Sequence, residues 1–336
     1  FKPCVITLYR KGPLGEALEN DGVPLLCLEL RHPFGPIKIK STLPNIVDFA
    51  RNHNACLVHA HLTASGLYGG LAARALKVPG LFTAHGELSK QIPFRLFEIG
   101  MRHLWKTVVG VSEGIAGEIR RCSFFGKGRR FSHIYNGIDT SYWNARAQAD
   151  RFPKDGKRIC VTMVANFFKE KDHDTALESF RLFRKKYKDS VLILAGEGEG
   201  RSRIERQVHE MGLRQVIFAG KVEDIKALLD QTDIFLLASL SEGISIAVLE
   251  AMAMGLPVIV SDVGSMGEVI TNGLDGILVG PEDPKALFDA LDHVVGRSEF
   301  RNSIRKNARR RVVSAFSVDA MSKAYAALYR NLVYME

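Results

Sequence analysis

Glu242 and Glu250 are separated by seven residues within Ser239–Asp262, SLSEGISIAVLEAMAMGLPVIVSD, a stretch that holds no lysine or arginine. The pattern reads as a polar loop, a helix from about Ser245 to Met254, a Gly-Leu-Pro turn and a strand. Burying an unpaired carboxylate is costly, so a helix of Ile246, Ala247, Val248, Leu249, Ala251 and Met252 should exclude Glu250 unless it faces a cleft. The natural partners of a carboxylate there are hydroxyl groups. Ser245 is a candidate N-cap, and the free amides of the turn that follows, at the positive end of the helix dipole, suit an anion such as a diphosphate. Carboxylates that take hydroxyls beside an anion site point to a sugar nucleotide.

Glu242, Glu250 and the following Ala251-Met252-Ala253-Met254-Gly255-Leu256-Pro257-Val258 resemble the donor signature of the family 4 retaining glycosyltransferases. That resemblance implies an α/β chain of GT-B architecture. Two Rossmann-like parallel-sheet domains would face each other across a cleft, with a closing helix crossing back to the first. It also implies that Glu250 accepts hydrogen bonds from the nucleotide ribose and that Glu242 meets hydroxyls of the donor sugar. Loop amides at Gly243, Ile244 and Ser245 would line the same pocket. Val164 to His173, VANFFKEKDH, resembles the strand-loop motif in which an arginine and, five residues later, a lysine hold the phosphates. The lysine is Lys171, but the arginine position holds Asn166. Asparagine donates hydrogen bonds without charge, so part of the stabilisation of the leaving diphosphate is missing or comes from elsewhere.

Val78 to Gly86, VPGLFTAHG, resembles the strand that delivers a histidine into the cleft, which makes His85 the residue facing sugar or acceptor. Gly220-Lys221-Val222 corresponds to the loop beside the base, with Val222 among the donor contacts through backbone atoms. His59 and His61 also fit a family pattern, yet a strand-end histidine readily satisfies itself on backbone, and both are read as structural. The glycine-rich Ala195 to Gly200 is read as turn-forming. Glu242, Lys171 and His85 are therefore the catalytic candidates. Retention implies departure and attack on one face of the sugar, with the leaving phosphate taking the acceptor proton and no carboxylate nucleophile at glycosidase spacing. HExxH and CxxC are absent, and neither a metal nor another cofactor is expected.

The length of 336 residues suits two domains, expected at 1–143 and 158–315, with a linker at 144–157 and the closing helix in 316–336. Five scattered cysteines indicate reduced thiols in the cytosol. No stretch of 18 uncharged apolar residues is present. Residues 1–150 hold 19 Lys+Arg against 11 Asp+Glu, whereas residues 151–336 hold 27 against 26. A basic first half fits an anionic membrane surface, where each cation adds about 1 kcal/mol of attraction. The helix expected at Phe94 to Trp105 has an apolar stripe that suits core packing, and the basic run close behind it leaves membrane docking open.

The expected protein is a hexosyltransferase at the cytoplasmic face of the membrane. Its donor would be a UDP-sugar ahead of a GDP-sugar, its acceptor a polysaccharide or lipid-linked glycan, with no nucleic acid as partner. A nucleotide-sugar epimerase of the same fold and a non-catalytic binding relative are the alternatives. The strand and Gly-Gly loop with which the family begins have no counterpart before Cys4–Tyr9, so weak turnover is expected of this chain as it stands.

Overall fold

A computed structural model describes residues 1–31, 36–86, 99–100, 104–122, 130–144 and 158–334, so all but the first residue of the expected 144–157 linker and most of the expected 94–105 helix lie outside the described residues. The chain divides into two compact units, Phe1–Ile134 with Ala324–Glu336, and Tyr135–Lys323. That division falls earlier than the expected 143. Ile138 bridges Ser317 in parallel and is buried with Phe316 in the second core, which draws the Asn136-Gly137-Ile138-Asp139 turn and residues 316–323 into the second unit.

In the first unit β1 (Val5–Thr7) and β2 (Leu25–Cys27) form one parallel ladder, and β3 (Val58–His61), β4 (Gly80–Ala84), β5 (Thr107–Gly110) and β6 (Arg130–His133) form another. Helix Pro36–Asn52 runs through Pro44. Ile46, Val47 and Ala50 are buried on one face of it, and that packing outweighs the hydrogen bond proline removes. Helix Thr63–Leu76 is rich in small residues because Trp105 nests against it, with added Cβ atoms at Gly69 and Gly70 meeting the indole at 3.2 Å. Trp105 is 1% exposed and donates Nε1–H to the Gly66 carbonyl, so this end of the apolar stripe serves the core. Tyr325, Leu328, Tyr329 and Leu332, on the closing helix Val318–Tyr334, pack on Leu81 and Val109.

The second unit is a six-stranded parallel sheet of β7 (Cys160–Val164), β8 (Val191–Ala195), β9 (Val216–Gly220), β10 (Ile234–Leu237), β11 (Val258–Ser261) and β12 (Ile277–Val279), ordered β12-β11-β10-β7-β8-β9. Helices connect the strands, and β10 and β11 are buried throughout, hence their unbroken apolar sequences. The chain winds outward from β7 to β9, then returns to the other side of β7 for β10. The carboxyl ends of β7 and β10 therefore flank the topological switch point, where open α/β sheets bind ligands. The loops that follow those two strands carry Asn166 to Lys171 and Ser239 to Ser245.

Candidate functional site

The loop after β7 is held from below by the glycine-rich segment after β8. Phe167 N–H donates to the Glu197 carbonyl at 3.0 Å and Gly200 N–H to the Phe167 carbonyl at 2.9 Å. A Cβ on Gly196 would come within 2.1 Å of the Ala165 carbonyl oxygen, and one on Gly198 within 2.8 Å of the Phe167 nitrogen. The glycines let two backbones lie flush. Phe167, 1% exposed, stacks on buried His173 at 4.2 Å between centroids, and burial pushes that imidazole's pKa down to about 4. Above this base the chain makes a short 3-10 turn, Lys169–Lys171, and reverses at Asp172, whose side chain caps the next helix on Thr175 N–H.

Asp172-His173-Asp174 has the spacing of a carboxylate pair for a metal. Asp172 is the helix cap, and Asp174 is gripped by Arg203 through two bonds of 2.7 Å. Both carboxylates thus have structural work.

The loop after β10 meets the first loop directly, with Leu240 N–H donating to the Glu170 carbonyl at 2.8 Å. Glu242 is 8% exposed, and its Oε1 accepts from Lys171 Nζ at 2.5 Å and from Ser239 Oγ at 2.7 Å. The cation that no neighbour in sequence supplies to Glu242 comes from 71 residues upstream. Its second oxygen makes no hydrogen bond among the described residues. An ammonium has three N–H donors, so Lys171 keeps two after serving Glu242.

Gly264 pins this loop from the far side. Its φ is +56°, and an added Cβ would stand 1.8 Å from the Glu242 carbonyl oxygen. Gly264→Ala should therefore displace Glu242. The expected results are a loss of about 1–3 kcal/mol in stability together with weakened UDP-glucose binding, read by thermal unfolding and calorimetry. Unchanged binding in a folded Gly264→Ala protein would detach Glu242's position from donor recognition.

Helix Ile246–Ala253 follows, shorter at both ends than expected. Ser245 occupies the expected N-cap position with extended backbone, and its side chain makes no capping hydrogen bond. Without a side-chain cap the first-turn amides stay open toward an anion. Ile244 is buried, while Gly243 and Ser245 are half-buried beside it. Glu250 is half-buried with no side-chain partner among the described residues, and desolvation raises its pKa to about 7. At the other end of the helix, Arg309 donates to the Ala253 carbonyl and Arg305 to the Gly255 carbonyl, the latter at 2.8 Å. Both belong to helix Ser298–Ala315 and cap the negative end of the helix that carries Glu250.

Sequence reasoning missed these arginines, Ser239 and Gly264. The four-residue spacing of Arg301, Arg305 and Arg309 was a visible sign of a shared helix face. Asn166 is exposed in the first loop, and Val222 is half-buried after β9, whose terminal Gly220 carbonyl accepts from Gly196 N–H at 2.8 Å.

His85 lies in the first unit, directly after β4. Among the described residues no backbone group satisfies it, nor His59 or His61, which corrects the expectation for those two. His61 Nδ1 and His85 Nε2 are 2.9 Å apart. His59 bonds the Tyr329 hydroxyl through Nδ1 at 2.6 Å and Thr83 Oγ1 through Nε2 at 2.8 Å. Burial lowers the pKa of all three, to about 3 for His59 and about 4 for His61, with neighbouring imidazoles adding to the effect on those two. Among the described residues no group of three or more His, Cys, Asp or Glu is placed to hold a metal ion. No helix among them is long and apolar enough to cross a membrane.

Residues 144–311 match the family described as Glycosyl transferases group 1, residues 1–142 match Glycosyltransferase Family 4, and the chain belongs to the group 1 glycosyl transferases. It is 25% identical over 345 residues to the Escherichia coli UDP-Gal:alpha-D-GlcNAc-diphosphoundecaprenol alpha-1,3-galactosyltransferase, covering 96% of this chain and 88% of that one. An uncharacterized glycosyltransferase of Methanocaldococcus jannaschii is 28% identical over 240 residues, which is 68% of this chain and 60% of that protein's length. Among solved structures, Anabaena HepE in complex with UDP-glucose superposes with a TM-score of 0.83 at 19% identity, over 98% of this chain and 92% of the other. A Rickettsia africae glycosyltransferase gives 0.81 at 20% identity, over 98% and 90%. These structures establish the fold, GT-B, with its two parallel-sheet α/β units.

Proposed function

We propose that this chain is a retaining hexosyltransferase that takes its sugar from a UDP-sugar and needs no metal ion. The observation that carries the reading is the meeting of Lys171 and Glu242 at the switch point of the second unit, beside a helix whose Glu250 has no side-chain partner among the described residues. Glu250 is the ribose carboxylate, its desolvated side chain taking two hydroxyls. Glu242, held on one oxygen by Lys171 and Ser239, offers the other to a sugar hydroxyl. The free N–H groups of Lys171 and the open amides after Ser245 neutralise the departing diphosphate. Asn166 adds a neutral donor, Gly243, Ile244 and Val222 line the site, and His85 contacts sugar or acceptor.

The uridine preference is supported by the donor named for the Escherichia coli relative and by the UDP-glucose bound in the Anabaena structure. The lipid-linked acceptor is supported by that relative and by the basic excess in residues 1–150. That excess also fits peripheral attachment at the inner membrane face.

Calorimetric titration of UDP-glucose and a GDP-hexose, with chelator present, tests the donor half. Wild type should bind the uridine donor, and Glu250→Ala should bind it at least about tenfold more weakly, as expected for loss of charged hydrogen bonds. Equal binding by both proteins would remove Glu250 from the site. Retention is checked by the anomeric configuration of the released or transferred sugar.

A further inference from the structure

We propose that His61 is a positioning residue for His85, setting which nitrogen of the His85 ring carries its proton and hence what that ring offers to substrate. His61 closes β3 and His85 follows β4, neighbouring strands paired in parallel through His61 and Thr83, so the two imidazoles leave adjacent strand ends. Their centroids are 5.2 Å apart and Nδ1 of one faces Nε2 of the other at 2.9 Å.

A neutral imidazole has one N–H, and a bond between two ring nitrogens uses a single proton. If His61 Nδ1 donates, His85 carries its own proton on Nδ1 and presents a donor. When His85 Nε2 donates instead, its Nδ1 is bare and presents an acceptor, and His61 then holds its proton on Nε2. The two outer nitrogens, His85 Nδ1 and His61 Nε2, are therefore in complementary states. Whatever contacts His61 decides the face that His85 shows.

Two further observations bear on this pair. His59 braces the His61 ring at 4.1 Å between centroids, with both His59 nitrogens already taken by Tyr329 and Thr83. Leu62, the next residue along the chain, has φ 67° and ψ 160°, a conformation close to glycine-only, while 63% exposed. Burial of its own side chain does not hold it there. The strained turn sends the chain from His61 straight into helix Thr63–Leu76 and fixes where the ring emerges.

The proposal rests on reading His85 as a substrate-facing group, and its test separates the two. Long-range proton-nitrogen NMR of ¹⁵N-histidine protein at neutral pH, with His85 assigned by comparison with His85→Gln, reports the tautomer directly. Hydrolysis of UDP-glucose reports turnover. Wild type should show one His85 tautomer. His61→Ala should show a mixture and turn over about tenfold more slowly at unchanged KM, the usual scale for removing a group that orients a functional histidine. His61→Asn, whose amide puts a hydrogen-bonding atom where Nδ1 stands, should recover both to within about twofold to threefold of wild type. Identical His85 spectra in wild type and His61→Ala, or an asparagine variant no better than alanine, would overturn the proposal. Absence of turnover by wild type would count against the donor assignment instead, and the spectra would still decide the role of His61.

Discussion

Lys171→Met is expected to lower turnover by about 10²–10³, the usual consequence of removing one preorganised group from a developing negative charge. A second effect accompanies it. Glu242 is 8% exposed, and its Oε1 would keep only the Ser239 hydroxyl. Breaking a fully buried ion pair from one side costs about 3–5 kcal/mol. Lys171 is itself a quarter exposed, so about 2 kcal/mol is the expected loss here. Because the two effects have different causes, a second substitution separates them. Lys171→Met with Glu242→Gln removes the stranded charge and should recover most of the stability while turnover stays low. Thermal unfolding of the four proteins of this cycle, beside their UDP-glucose hydrolysis rates, measures both. If the double variant regained turnover along with stability, Lys171 would be a structural partner of Glu242 and not a phosphate group.

The two carboxylates were visible in sequence because they break a rule, standing uncompensated in an apolar helix and its approach. The alternation of strand and helix through the second unit was equally plain, since buried parallel strands carry continuous apolar runs. What joins Lys171 to Glu242 was not, because that contact depends on β10 returning to lie beside β7. No local pattern states strand order. Gly264 and Gly198 look like ordinary turn glycines until another backbone is found against them. In the first unit the helix Glu113–Cys122 and strand β6 went unread. Arg130 to His133, mostly polar, lacks the apolar run by which the other strands announce themselves. The compact units part ahead of residue 143 because one bridge ties Ile138 to a residue far along the chain.

Glu250→Gln should stabilise the protein above neutral pH while impairing it as an enzyme. Desolvation raises the Glu250 pKa from an ordinary 4.5 to about 7 in the folded state. Between those values the folded chain holds a proton that the unfolded chain has lost, so stability falls as pH rises through that window and stays reduced above it. A shift of this size corresponds to about 3 kcal/mol at full burial, and on the order of 2 kcal/mol once the partial exposure of the side chain is allowed for. Glutamine escapes the penalty. At pH 8 the variant should unfold roughly 4–8 °C higher than wild type, and at pH 4.5 the two should coincide. The same carboxylate, if it takes two ribose hydroxyls, must lose its proton to bind donor. UDP-glucose carries a diphosphate diester that does not titrate near neutrality, so proton release on binding reports the protein. Calorimetry in buffers of different ionisation enthalpy should find about half a proton released per site at pH 7 and none at pH 9. In Glu250→Gln that release should vanish and affinity should fall about tenfold or more. Matching unfolding temperatures at pH 8 would mean that Glu250 is not held in a desolvated pocket at all. A stabilised variant that still bound donor normally would place the ribose elsewhere.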